Sequence, residues 1–492
     1  MIAFWLILTG FAIFFASYFD FLRKLAVFYK YGERIPGPKA HPILGNVRLF
    51  QGKSPAELYD TFLNLCQEAM ARGDNLIRFQ ICGKLSVWPL NGKCLAPILD
   101  STTELDKGEE YGFLKPWLGE GVILLGYGEK LKARRKLLNP SFHFSKLHEF
   151  LNVFNDEAER LVRKLEKAAD ADATVDMFPV FQQTTLNIIG EAVMGIRMEA
   201  NHEYANAIDG YLKMTMEYMH TPHMWSPILF WLLGYKKKRD ALLTTMQTFT
   251  ERVIAERMRE LDAIGGLDEC PTNFLDMLLR MRESNALTPR EMAVEVDVFF
   301  FAGHDTTSIS LSWSCWLLAH HRDVQQRVYE ELERVCRDGC LRSETIARLA
   351  YLDRVLKESK RMFPPVPSVQ RKLRSNLIID GYVIPAEASV NISPMAVHRN
   401  PSIYSNPDKF DPDRFLPDAI ARRHPYDYIP FSAGLRNCIG QKFAQIEEKV
   451  LIAHIVRNFE IVPMLGFEAT KPGFEIVAKP SNGIPVRFVR RE

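Results

Sequence analysis

The sequence predicts a mainly helical protein with small β-sheets toward both ends, an α+β fold class. Three observations carry that expectation. Two capping boxes, Ser54-Pro55-Ala56-Glu57 and Thr288-Pro289-Arg290-Glu291, mark the starts of helices, each with proline at the first helical position. After Pro289 no proline interrupts the chain as far as His320, which as one helix would run about 48 Å. Strand-like runs occur at Leu76–Ile81 and Leu85–Leu90, and again at Leu377–Ile379, Val383–Ile384, Ser389–Ile392 and beyond Phe459.

Taken in order, the chain begins with an apolar run. From Met1 to Phe19 only Thr9, Gly10 and Ser17 interrupt it, and no charge appears before Asp20. As a helix it would rise about 28 Å, close to the hydrocarbon thickness of a bilayer. No basic residue precedes the run and no A-x-A cleavage site follows it, so it reads as an uncleaved anchor rather than a signal peptide. Arg23, Lys24, Lys30 and Arg34 follow, which by the positive-inside rule keeps the bulk of the chain cytosolic. Pro36-Gly37-Pro38 stops any helix. The expected organisation is an anchor over 1–22, a basic, proline-rich hinge over 23–40, and one large domain over 41–492. Within it Ser54 opens a helix to about Arg72, Asn91-Gly92 is a turn signal, and helices alternate with loops from about Lys130 to Phe363.

Composition narrows the function classes. Hydrophobic residues make up 47% and charged residues 25%, ordinary globular usage. Lys plus Arg total 62 against 60 acidic residues, which offers nothing to a nucleic acid. The eight cysteines (Cys66, Cys82, Cys94, Cys270, Cys315, Cys336, Cys340 and Cys438) are scattered without a C-x-x-C pair. That argues against zinc and against a disulfide framework, and fits a reducing cytosolic face.

The chemistry concentrates at Phe431–Gly440, FSAGLRNCIG. Cys438 sits between a glycine-containing turn and a helical run from Gln441 to about Asn458. Gly434 and Gly440 permit backbone angles and close approaches that a β-carbon forbids. A sulfur just ahead of a helix start, with Arg436 two residues before it, meets free N–H groups and the positive end of the dipole. Both are expected to lower the thiol pKa and favour the metal-binding thiolate. Phe431, Gly434, Arg436, Cys438 and Gly440 match the haem-binding signature of the cytochrome P450 superfamily, the haem-thiolate monooxygenases. The longer string FSAGLRNCIGQKFA most resembles family 4, although Leu435 stands where that family usually has proline. The resemblance extends from Pro36 to the C-terminus. It implies the P450 fold with one N-terminal transmembrane helix, haem b as cofactor and Cys438 as the axial iron ligand.

The resemblance also assigns roles elsewhere. Ala302-Gly303-His304-Asp305-Thr306-Thr307 would be the oxygen side of the site, in the middle of the long helix. Gly303 would leave room for haem and dioxygen beside Ala302. Thr306 can bond back to the Ala302 carbonyl and hold a proton relay, with Asp305 connecting it to solvent. His304 is not a ligand. Arg135, in KLKARRKL, matches a propionate-binding arginine, but Leu131 replaces the tryptophan four residues before it. Arg371 and Arg436 match further propionate ligands. Glu358 and Arg361 share a helix face and match the family's E-x-x-R, with Arg414 of FDPDRF completing a buried ion triad. Many family 4 members carry a Glu at the position of Ala302 that esterifies a haem methyl group, so here the haem is expected to be non-covalent apart from the Cys438–iron bond.

The implied function is insertion of one oxygen atom into a C–H bond. No G-x-G-x-x-G or flavin fingerprint is present, so electrons come from outside the chain. The resemblance implies a diflavin NADPH reductase, with cytochrome b5 as a candidate second partner, and a lipophilic substrate, a fatty acid or related lipid hydroxylated near the chain end. Xenobiotic or hormone-like substrates, an isomerase or dehydratase, and a non-catalytic haem binder are the alternatives. The implied location is the endoplasmic reticulum membrane, single-pass, with the catalytic domain on the cytosolic face. Trp225–Tyr235, apolar and followed by Lys236, Lys237, Lys238 and Arg239, reads either as a membrane contact or as core packing.

Overall fold

A computed structural model describes residues 18–142, 147–198, 202–266, 273–336 and 341–491. Most of the anchor expected over 1–22 therefore lies outside the described residues. Among the described residues no helix is long and apolar enough to cross a membrane. The chain forms two compact units. One comprises the chain up to Glu109 with Ser368–Pro407 and His424–Arg436, and the other Glu110–Pro367 with Asp408–Arg423 and Asn437–Glu492.

The first unit is built on a four-stranded sheet in the order Leu76–Ile81, Lys84–Pro89, Ser389–Ile392, Val369–Lys372. Leu76 pairs opposite Pro89 in an antiparallel hairpin, Ser86 meets Ser389 in parallel, and Val369 lies antiparallel to Ile392. The hairpin turns at Cys82 and Gly83, both at positive φ (47° and 83°). Asn91-Gly92 is not a turn between strands. Asn91 is extended and its side chain accepts from the Cys94 N–H at 3.0 Å, so it caps the helix Gly92–Leu99. The predicted capping box at Ser54 is present and opens Pro55–Ala71. The proline-rich stretch packs onto the sheet. Buried Arg78 donates to the Gly32 and Pro38 carbonyls (3.2 and 2.9 Å), and Phe28 and Ile35 join the apolar core with Val87, Val390 and Ile392.

The second unit is organised on the long helix Pro289–His320, capped by Thr288 and Glu291 as expected. Its second half is almost wholly buried, with Trp313 and Trp316 fully enclosed. Met177–Ile188 packs along it and runs directly into a π-helical turn, Ile189–Val193. Ala350–Met362 and Gln441–Asn458 also lie against it. A three-stranded antiparallel sheet of Val175–Asp176, Pro485–Arg490 and Phe459–Pro463 completes the unit.

Candidate active site

In the second unit, Cys438 precedes the helix Gln441–Asn458, whose start is fixed by Phe443 packed edge-on against Phe150 and Phe154, centroids 5.1 and 4.9 Å away. Arg135 donates to the Asn437 carbonyl (3.1 Å) and side-chain oxygen (2.8 Å), so it grips the residue before the sulfur. The Gly440 N–H bonds to the sulfur. The expected fall in thiol pKa does not follow. Cys438 is exposed on one side, yet protein rings it at longer range, and that burial pushes the thiol up; the Gly440 N–H and Arg135 oppose the rise without reversing it. Gly440 also differs from expectation. Its φ of −82° is open to any residue, and a β-carbon there would meet only the sulfur, at 4.0 Å.

Ala302, Gly303 and Thr306 lie on a partly open face of the long helix, while His304 and Asp305 are buried. Thr306 Oγ1 donates to the Ala302 carbonyl at 2.7 Å, which leaves its lone pairs as acceptors. His304 is spent on structure: Nδ1 sits 2.8 Å from the Phe300 carbonyl, and its own carbonyl accepts from Thr185. Gly303 serves helix packing. A β-carbon on it would fall 2.5 Å from Ile189 Cδ1 in the π-turn, so the glycine is what lets the two helices close. Asp305, expected to connect the relay to solvent, is itself fully buried. Its Oδ1 accepts from Gln182 at 3.5 Å and its Oδ2 lies 3.6 Å from Lys479 Nζ.

Glu358, Arg361 and Arg414 do come together. Arg361 clasps Glu358 through Nε and Nη2 (2.7 and 2.9 Å), Arg414 Nε approaches the same carboxylate at 3.3 Å, and the Asp411 N–H adds a bond at 3.0 Å. Beside Arg135 the sequence reading missed Arg134, which is buried and bonded to Glu291 and Glu295 of the long helix. It also missed Glu331, which caps the triad helix by accepting from the Tyr351 and Leu352 N–H groups. Helical periodicity singles out Arg134, one step round from Arg135; no local signal marks Glu331.

In the first unit, Gly434 needs to be glycine: φ is +67° and a β-carbon would stand 2.0 Å from the Leu99 carbonyl oxygen. Phe431 is half-buried in the same turn. Arg436 donates through Nε and Nη2 to the Leu105 carbonyl (3.2 and 2.9 Å). Arg371 is buried on its strand, with Nη1 on the Gln370 carbonyl. Lys107, missed in the sequence, shares their surroundings. Burial, then the charges of Arg371 and Arg436, hold its pKa well below the ordinary lysine range.

The donor chemistry fits haem. Among the described residues no group of three or more His, Cys, Asp or Glu could hold a metal ion, and Cys438 would offer a single sulfur. One thiolate suffices when a macrocycle supplies the equatorial ligands. Separately, in the first unit Arg371 and Arg436 lie near enough to Lys107 to repel it, and guanidinium groups of this kind suit carboxylates such as propionates. A lone sulfur at a helix start is the protein side of a haem-thiolate centre. The chain belongs to the cytochrome P450 family, which it matches over residues 35–486. It is 37% identical to cytochrome P450 4V2 of Rattus norvegicus over 473 residues, covering 92% of this chain and 89% of the relative. It is 34% identical to cytochrome P450 4c3 of Drosophila melanogaster over 489 residues, covering 94% and 90%. Human cytochrome P450 4V2 is 35% identical over 473 residues, covering 92% and 89%. The protein is thus a P450 monooxygenase most like family 4, with haem b on a cysteine thiolate, a separate reductase and a lipophilic substrate.

Proposed function

We propose that the chain hydroxylates a fatty acid or related long-chain lipid near its end, at the cytosolic face of the endoplasmic reticulum membrane. The substrate class follows from likeness to family 4. A diflavin NADPH reductase supplies electrons, with cytochrome b5 as a second donor. Residues 1–22 anchor the chain, 23–40 join the anchor to the rest, and 41–492 carry the chemistry.

Cys438 would hold the haem through its sulfur, and the bound group would supply dioxygen activation, with one atom entering the substrate and the other leaving as water. Arg135, Arg371 and Arg436 would bind its propionates, and Phe431, Gly440, Ala302 and Gly303 would lie against it. Glu358, Arg361 and Arg414 form a rigid support for the loop before Cys438. Thr306 accepts a hydrogen bond where the proton is needed, and Asp305, its neighbour, supplies that proton.

The observation that carries oxygen chemistry over isomerisation is the Thr306–Ala302 bond beside a buried carboxylate. That arrangement prepares an acceptor and a proton source, which an isomerase does not need. The test is Thr306→Ala in the holoenzyme with reductase, using substrates chosen from a fatty-acid panel by the spectral shift they induce. NADPH consumption should persist, with less product and more hydrogen peroxide. Unchanged coupling would remove Thr306 from the reaction.

Membrane contact beyond the anchor is supported at Trp225–Tyr235. Ile228, Trp231, Leu232 and Leu233 are 57–69% exposed, whereas Phe230 is core. Of the following cations, Lys236 and Arg239 are paired with Asp240, and Lys237 and Lys238 point outward. An exposed apolar ridge beside outward lysines suits an anionic lipid surface.

A further inference from the structure

Asp305 is held unlike Asp276 and Glu331, two buried carboxylates of its unit. Asp276 is clasped by Arg257 at 2.8 and 2.9 Å, and Glu331 accepts two N–H groups at 2.8 and 2.9 Å. Asp305, fully buried, has only the 3.5 Å contact from Gln182 on one oxygen and the 3.6 Å approach of Lys479 on the other. Those two carboxylates are pinned by short bonds; Asp305 is left loose, as is Glu447, but among the described residues only Asp305 of this pair has a lysine ammonium standing just beyond bonding distance.

The same ammonium bonds to Asp209, on the helix His202–His220, whose side chain is 30% exposed. The Lys479 backbone cannot wander. Its N–H donates to the Val477 carbonyl, its carbonyl accepts from Gly473, and the preceding Ala478 is tied to Pro365 and to Trp313 of the long helix. A fixed backbone therefore carries a movable cation between a buried and a surface carboxylate.

We propose that Lys479 is a positioning residue for the oxygen chemistry, a latch shared by Asp305 and Asp209 that holds the Asp305 carboxylate next to Thr306 and opens it to water when the ammonium moves fully onto Asp209. The inference rests on the Asp305–Thr306 relay proposed above. In each delivery one solvent proton adds to Asp305 Oδ2, and one leaves toward the oxygen held at Thr306, so Asp305 returns to carboxylate. Lys479 stays an ammonium throughout. Burial opposes its charge, but Asp305, Asp209 and Glu475 outweigh it and raise its pKa, so it is a poor proton carrier and a good latch.

The test uses the full-length holoenzyme with reductase and the tightest-binding fatty acid of the panel. Lys479→Met should lower product per NADPH several-fold and raise peroxide, with substrate affinity unchanged. Lys479→Arg should keep most of the coupling. Asp209→Asn, at a part-exposed site that tolerates change, should lower it less than Lys479→Met. Independently of turnover, a urea-unfolding cycle of Lys479→Met and Asp305→Asn should be non-additive. Wild-type coupling in Lys479→Met or Asp209→Asn, an Arg variant no better than Met, or an additive cycle would overturn the latch. If Lys479→Met fails to load haem, Asp209→Asn and Lys479→Arg decide. Uncoupling in Thr306→Ala with wild-type coupling in the Lys479 and Asp209 variants sinks only the latch; wild-type coupling in Thr306→Ala sinks the relay itself.

Discussion

At the scale of single residues, Ala302 has the sharpest consequence. Its carbonyl serves Thr306, and its methyl side chain has no atom able to form an ester. Haem should therefore leave the polypeptide in acidified organic solvent, which protonates thiolate and carboxylates together. Denaturing chromatography with mass detection checks this; haem travelling with the denatured chain would place a covalent bond elsewhere. His454 offers a second measurement. Burial, then the nearby Arg457 cation, push its pKa down from 6.5 to about 4, and its Nε2 meets Asn155 Oδ1 at 3.0 Å. The folded state thus prefers the neutral ring. Its contribution is fully present above pH 6.5 and is lost as pH falls toward 4, because the unfolded chain takes up the proton first. His454→Gln should flatten the melting temperature against pH between those limits. An unchanged slope would assign that acid sensitivity to other groups.

At the scale of elements, the junction between the long helix and the π-turn is set by one missing side chain. Gly303→Ala places a β-carbon 2.5 Å from Ile189 Cδ1 and 2.9 Å from Cγ1. The gain in helix propensity, about 1 kcal/mol, is smaller than the overpacking cost of about 1–3 kcal/mol. Denaturant unfolding should show a net loss, and no further loss when Gly303→Ala is made in an Ile189→Ala background. Equal losses in both backgrounds would mean that the clash is relieved some other way. The same junction shows what sequence can and cannot convey. Both capping boxes were legible because a cap is written within four consecutive residues. The Thr306–Ala302 bond and the Glu358–Arg361 pair were legible because each spans one turn of a single helix. The reason for Gly303 was not, since Ile189 lies more than a hundred residues away. The strand Val369–Lys372 escaped because half of it is Arg371 and Lys372, whose place in the sheet comes from pairing with Ser389–Ile392. Lys107 and Lys479 escaped for a like reason: nothing beside them in the chain announces the charges that fold brings to them.

At the scale of the whole molecule, attachment to the bilayer should have two separable parts. Removing Met1 to Asp20 deletes the apolar run and should weaken membrane association while leaving haem content intact. The remaining association, measured by flotation with anionic vesicles, should fall again when Trp231 and Leu232 are changed to Ser, since both are more than 60% exposed. Complete release on deletion alone would leave the Trp225–Tyr235 ridge without a lipid role. Loss of haem on deletion would make the anchor part of the fold.

The chain passes back and forth between its two compact units, and the last passage falls between Arg436 and Asn437. That single feature fixes a timetable for synthesis. The first unit opens with residues translated at the beginning, yet it needs Ser368–Pro407 and His424–Arg436 to complete its sheet and core. At about 5–20 residues per second, a ribosome takes on the order of tens of seconds to travel from Glu109 to Arg436. For most of that interval, until Ile392 has been translated, the strand Lys84–Pro89 lacks Ser389–Ile392, the neighbour that covers its outer edge. The nascent chain must be shielded there, and the unit closes only once Arg436, two residues before the sulfur, has been made.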